Sequence, residues 1–394
     1  MHTENPTDTQ SPSQVALIRC SDYAQDNVTA AVGRGLALLG GVERFVRRGE
    51  RLLLKPNLLV ASDPEKAVTT HPAVFRAVAQ QLQAAGAVLT YGDSPAFELL
   101  PGGAARGSGL GEVAHELGIP LADFVRGRTV SFPEGGLIKR FALAEGVLSA
   151  DGLVSLPKFK THGLTRVTGA VKNQFGCVPG LLKSQFHAQL ADQERFCQML
   201  VDLNRLLRPR LVVMDGIVAM EGNGPRGGDP RHLGVLMLSA DPVALDSTAC
   251  EMINLAPELV PTITWGQRWG LGQYQNIQFV GDAIESFRSP DFVVNRARGS
   301  TTGRPGLMSR FMREWVVPRP ALISERCVRC GLCARMCPVE PKAIDFRDPG
   351  GPDCPPAYDY HLCIRCYCCQ ELCPEKAIVV QERPLGRLFG RHPG

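Results

Sequence analysis

The sequence predicts an α/β protein, with a large, mainly parallel sheet covered by helices and a small C-terminal α+β module. Three observations support this. From Val15 to about Asp282, short runs rich in Val, Leu and Ile alternate with stretches of helical periodicity, the pattern of strands buried on both faces between covering helices. The chain has 394 residues, 44% hydrophobic and 21% charged, enough to bury a substantial core with a smaller attachment. Near the C-terminus the pattern gives way to a duplicated cysteine-rich segment.

The strands read in order as VALIRC (15–20), RLLLK (51–55), VLTYGD (88–93), GLVSL (152–156), LVVMD (211–215) and GVLML (234–238). Between them, Val28, Val32, Leu36 and Leu39 form one apolar stripe, and Val74, Val78, Leu82 and Ala85 form another. Phe186, Leu190, Phe196, Leu200, Leu203 and Leu207 mark a single longer helix. Ahead of this unit, residues 1–14 are polar, lack the basic-then-apolar pattern of a secretory signal, and read as a disordered leader. The large unit spans 15–290, a basic linker 291–322, the cysteine-rich module 323–382 and a basic tail 383–394.

A net charge of +4 gives no global support for nucleic-acid binding. The excess is local: residues 295–326 hold seven arginines against Glu314 and Glu325, a solvated linker or a strip for an acidic partner or membrane surface. No run approaches the ~20 apolar residues of a membrane span. The cytoplasm is therefore the expected location, a reducing compartment suited to thiolate ligands.

Cys327, Cys330, Cys333 and Cys337 follow C-x2-C-x2-C-x3-C-P, and Cys363, Cys366, Cys369 and Cys373 repeat it. Three thiolates at two-residue gaps converge on one cubane, while the fourth serves the other cluster. Cys327, Cys330, Cys333 and Cys373 are thus assigned to one 4Fe–4S cluster, and Cys363, Cys366, Cys369 and Cys337 to a second. Zinc sites favour two separated cysteine pairs, and disulfides an exported chain. Residues 324–380 resemble bacterial-type two-cluster ferredoxins, with a longer spacer at 347–362. Cys354 and Cys368 fall outside the pattern and read as spare thiols; Cys20, Cys177, Cys197 and Cys250 read as buried apolar residues.

In open α/β sheets, ligands bind beyond the carboxyl ends of the strands. Polar residues gather there: Lys55 and Asn57, Asp93, and the segment LPKFKTHGLTRVTGAVKNQFGCVPG (156–180) with Lys158, Lys160, His162, Lys172 and Asn173. Crowded cations at a strand end suit an anion, and glycines let backbone N–H groups approach it. Glu221, in the glycine-rich loop EGNGP, is a further candidate acid, whereas Asp241 and Asp246 read as structural, Asp241 as a helix N-cap.

KPNLL (55–59), THP (70–72), GDSP (92–95), the 156–180 segment, DGIVAMEGNGP (215–225) and ADPVALDSTAC (240–250) together resemble domain-of-unknown-function family 362. Its members often carry a C-terminal pair of ferredoxin motifs. A more distant similarity is to nickel-dependent lactate racemases, through His162, Lys172, Pro179-Gly180 and His187. Thr168-Gly169-Ala170 replaces the glycine pair expected there, so this likeness implies a shared fold rather than racemase activity.

The expected function is an iron–sulfur oxidoreductase, passing electrons through two 4Fe–4S clusters to a substrate or a further unidentified cofactor in the large unit. His162, Lys172, Asp93 and Glu221 are the candidate catalytic groups. Lys158, Lys160, Asn173, Lys55 and Asn57 would hold an anionic small molecule. The expected partner is a redox protein or a small-molecule electron donor. An electron carrier or adaptor, and a non-redox isomerase with structural or sensing clusters, are the alternatives.

Overall fold

The computed structural model describes residues 11–95, 102–180, 182–190, 192–297, 315, 317–347 and 354–383. A nine-stranded sheet organises the large unit: β1 (Ser13–Arg19), β2 (Arg51–Pro56), β3 (Val88–Tyr91), β6 (Gly152–Leu156), β7 (Lys158–His162), β8 (Arg166–Thr168), β9 (Leu211–Glu221), β10 (Asp229–Ser239) and β11 (Ile277–Gly281). β4 (Gly127–Ser131) and β5 (Arg140–Ala144) form a separate hairpin. Along the main path the order is β11-β1-β10-β9-β6-β2-β3. Pairing is parallel except where β10 runs antiparallel to β1 and β9, and where β8 folds back on β7.

Side chains of a strand alternate between faces, so consecutive leucines of β2 enter two different cores. Leu52 and Leu54 pack with Val28, Leu36, Val74 and Leu82 of helices Gln25–Leu38 and Pro72–Ala84. Leu53 joins Phe196, Leu200 and Ile263 on the opposite face, beneath helices Gln193–Leu207 and Pro261–Arg268. Each fully buried leucine contributes about 1.5–3 kcal/mol. The sheet is therefore covered on both sides, as the apolar runs require.

Several sequence expectations change here. The stripe from Phe186 to Leu207 is two helices, Leu182–Gln189 and Gln193–Leu207, because Asp192 caps the second by accepting from Arg195 N at 3.0 Å. The 158–172 segment holds β7, β8 and most of the turn Ala170–Asn173, with Lys158 and Lys160 fully buried. Ser13 and Gln14, expected in the leader, pair with Ile277 and Gln278; residues 1–10 lie outside the described residues. The expected linker is partly built into both units. Phe292 is buried and stacks on Phe159, and Arg166 donates to the Asn295 and Ala297 carbonyls. At the other end, Arg319–Leu322 forms a strand of the C-terminal module. Arg298, Arg304, Arg310, Arg313 and the tail from 384 lie outside the described residues.

That module pairs β12 (Arg319–Leu322) with β15 (Ile378–Gln381), and β13 (Ile344–Asp345) with β14 (Ala357–Tyr358), both antiparallel. Two short helices, Leu332–Arg335 and Cys368–Leu372, lie within the two cysteine motifs. Its apolar core is small, the situation in which metal ligation supplies folding energy.

Candidate functional site

The module seats itself on the loop after β9. Gln370 Nε2 donates to Asn223 Oδ1 (2.9 Å) and to the Gly224 carbonyl (2.9 Å), and Asn223 Nδ2 donates to the Ile378 carbonyl (3.0 Å). Arg226 donates to the Leu372 carbonyl at 2.7 Å. The EGNGP loop thus serves docking, and it is held close to β7, where a Cβ at Gly224 would run into the Thr161 carbonyl. Glu221 itself accepts from Val293 N at 2.9 Å and faces away from the cavity described next.

Beyond the carboxyl ends of β2, β3 and β7, and against the docked module, lies a partly open cavity. Of the candidates read from the sequence, Asn57, Asp93, Lys160, His162, Lys172 and Asn173 line it. Lys55 stands behind this wall, its Nζ 2.8 Å from Asp93 Oδ1 and 3.2 Å from Asn173 Oδ1. Asp93 also accepts from Leu58 N at 2.7 Å, so it braces the wall rather than standing free as a base. Lys158 is outside the cavity altogether. Its Nζ lies 2.9 Å from Asp215 Oδ2 and 2.7 Å from the Tyr23 hydroxyl, in a fully buried pair. The expected anion-holding role does not fall to it.

Of the cavity's lysines, Lys160 donates to Asn57 Oδ1 and to the Val68 carbonyl, both at 2.7 Å. Lys183, which sequence reading missed, donates to Ser94 Oγ at 3.0 Å and to the Pro95 carbonyl at 2.9 Å. Burial pushes both ammonium groups down to about 7. Lys172 differs. Its ammonium sits 5.0 Å over the Phe175 ring and makes no hydrogen bond or ion pair among the described residues. Asp246, through Ala170 N (2.6 Å) and Val171 N (3.1 Å), holds the turn that carries it.

His162 is buried, and its Nδ1 accepts from Leu164 N (3.0 Å) and Thr165 N (3.2 Å). Its proton therefore resides on Nε2, which faces Glu371 Oε1 at 2.9 Å in a close contact rather than a well-aligned hydrogen bond. Burial lowers the basicity of His162 despite Glu371. Burial works to raise the Glu371 carboxyl, but His162 and Lys172 hold it below the ordinary range. His187, stacked on Phe196 at 4.5 Å, is pushed down to about 3 by burial and stays neutral.

Glu371 comes from the cysteine module, as do the cavity-lining Met336, Cys368 and Leu372. Nothing in the sequence paired Glu371 with His162, although the helix within the second motif could have been tested for inward-facing polar residues. Cys368 is a wall residue, where the sequence suggested only a spare thiol.

Two further cavities lie within the module. One is lined by Cys327, Cys330, Cys333 and Cys373; the other by Cys337, Cys363, Cys366 and Cys369. Each combines three cysteines of one motif with the last of the other. None of the cysteines is in a disulfide, and among the described residues no three ligand groups converge on a single-ion site. Thiols spread around a cavity, not a point, fit a cubane better than a lone ion. Ala343 N donates to Cys337 Sγ (3.4 Å) and Ala377 N to Cys373 Sγ (3.2 Å), contacts that would stabilise thiolate charge.

Residues 52–251, half of the chain, match the family described as Domain of unknown function (DUF362), and residues 320–341 match the 4Fe-4S binding domain. A thylakoid-associated protein of Synechocystis sp. is 39% identical over 262 residues, 65% of this chain and 79% of that protein. Among solved structures, the lactate racemase apoprotein from Thermoanaerobacterium thermosaccharolyticum aligns at 10% identity and TM-score 0.39, covering 62% of this chain and 57% of that one. A Thermotoga maritima protein aligns at 12% identity and TM-score 0.38, covering 60% of each chain. The chain thus spans less than two thirds of either solved structure. Among the described residues no helix is long and apolar enough to cross a membrane.

Proposed function

The chain belongs to the domain-of-unknown-function family 362, and on that premise we propose that it is an iron–sulfur oxidoreductase. It binds two 4Fe–4S clusters in its C-terminal module, and an anionic small molecule or a further cofactor in the large cavity. One observation carries this reading: a single short helix separates the two kinds of site. From Cys368–Leu372, Cys369 lines a cysteine cavity while Cys368, Glu371 and Leu372 line the large one.

When bound, the clusters supply one-electron reduction. The rest falls to the chain's own residues. Lys172, the cavity ammonium without a hydrogen-bonded partner, takes the anionic group, such as a carboxylate or phosphate. Lys160 and Lys183 add positive potential from behind their own hydrogen bonds. His162 presents the N–H of Nε2 as a hydrogen-bond donor, and Glu371 keeps that edge of the ring turned to the cavity wall. Leu58, Phe175 and Leu372 make part of the wall apolar, which limits water at the site.

An anaerobic preparation tests both halves. Wild-type protein should hold about eight irons per chain. The pair Cys327→Ser and Cys373→Ser, drawn from different motifs but one cavity, should leave about four, and Cys337→Ser with Cys373→Ser almost none. A small molecule found by mass spectrometry with the wild-type protein should be lost from Lys172→Ala and should reoxidise the reduced protein. An iron-free protein, or reduced protein indifferent to that molecule, defeats the proposal.

A further inference from the structure

We propose that the outer lip of the first cysteine cavity, from Arg326 to Cys330, is the docking face for an acidic one-electron carrier protein. This inference rests on the two-cluster reading above and gives it a direction. The two cysteine cavities differ in their access to solvent. Cys337, Cys363, Cys366 and Cys369 are all buried, and their cavity adjoins the helix that backs onto the large unit. In the other set Cys330 is exposed and Cys327, Cys333 and Cys373 are half-buried. Electron tunnelling weakens steeply with distance, so a partner approaching from solvent exchanges electrons through the exposed set. The buried set then lies between it and the large cavity.

The surface there has the character of a transient interface. Val328, beside Cys330 on the lip, is 59% exposed. Such an apolar residue within a charged rim is what a small, polar docking patch requires. Arg326 just before the first motif, Arg329 and Arg335 within it, and Lys376 are exposed, against the exposed acids Glu325, Glu375 and Asp229, the last 3.9 Å from Lys376. The excess is positive. A positive rim accelerates encounter with an acidic partner and does little to hold it once bound, which suits a carrier that must leave. The balance is simple: the reduced carrier is oxidised by one electron, the protein is reduced by one, and no bond or proton is exchanged.

The test uses anaerobic holoprotein and an acidic plant-type 2Fe–2S ferredoxin as the probe. Complex formation is followed by anisotropy of labelled ferredoxin, and electron arrival by stopped-flow absorbance. Photoreduced deazaflavin, a small reductant that needs no docking, serves as the control. The wild-type protein should bind the ferredoxin, and the reduction rate should fall about tenfold or more between low salt and ~0.3 M salt. Arg326→Glu with Arg335→Glu should weaken both binding and rate about tenfold, with iron content and deazaflavin reduction unchanged. Should that pair fail to load iron, Arg326→Glu alone, which precedes the cysteine motif, carries the same expectation. A salt-independent rate, or variants that bind and react like the parent, overturns the docking face and leaves the cluster reading standing. A protein that even deazaflavin cannot reduce overturns both.

Discussion

Lys158 and Lys160 sit two positions apart on one strand, where side chains normally share a face, yet they end in different company. The register between β7 and β9 shifts between them, from Lys158 opposite Asp215 to Lys160 opposite Met220. Such an irregularity re-aims side chains, here sending Lys158 to Asp215 and Tyr23, and Lys160 to Asn57 at the cavity. The consequences differ. Lys158→Met leaves Asp215 buried without its cation and should cost about 3–5 kcal/mol of stability by denaturant titration. It should leave binding in the large cavity unchanged in whatever protein folds. For Lys160 and Lys183, whose ammonium groups are pushed down to about 7, the pH dependence has a definite sign. The protonated forms attract an anion, so sulfate affinity should be highest below pH 7. Above it, calorimetry should show a fall of up to about tenfold per pH unit for each ammonium lost. Sulfate carries the same charge throughout, so the slope reports the protein.

At the scale of elements, the segment from β7 to the turn after β8 shows how a cation-rich stretch becomes interior structure. Its backbone pairs within the sheet through Lys160–Thr168 and His162–Arg166, which removes the polar main chain from solvent. Gly163 lies at its tip beneath Tyr367 of the module, and Gly224 is packed against Thr161 of β7, so a Cβ there would shift the carbonyl that accepts from Gln370. Gly224→Ala should therefore loosen the docking by about 1–3 kcal/mol. The expected result is faster proteolysis between the two units at unchanged iron content; equal cleavage rates would contradict it. The amphipathic stripe at 186–207 was legible as helix, but not its interruption, because apolar spacing persists across the break while Asp192 and its cap restart the helix.

At the scale of the molecule, the small core of the module implies that cluster removal is an unfolding event for that unit alone. After chelation of iron, calorimetry should lose the module's transition and keep that of the large unit, whose two cores lie on either side of the nine-stranded sheet. Such a division was already written in the sequence. Strand–helix alternation sets the sheet, and cysteine spacing marks the candidate ligands, because both patterns depend on residues close together along the chain. Each cysteine cavity combines three cysteines of one motif with the last of the other. Local pattern also brought Asn57, Asp93, Lys160, His162, Lys172 and Asn173 into view, since all lie near carboxyl ends of strands. It did not separate Lys158 from Lys160, or show that EGNGP clasps a helix rather than a ligand. Nor did it reveal that Glu371, more than two hundred positions along the chain from His162, completes the same wall. Those outcomes depend on how one folded surface meets another. Complementarity of that kind is summed over many distant groups, and only tertiary packing decides it.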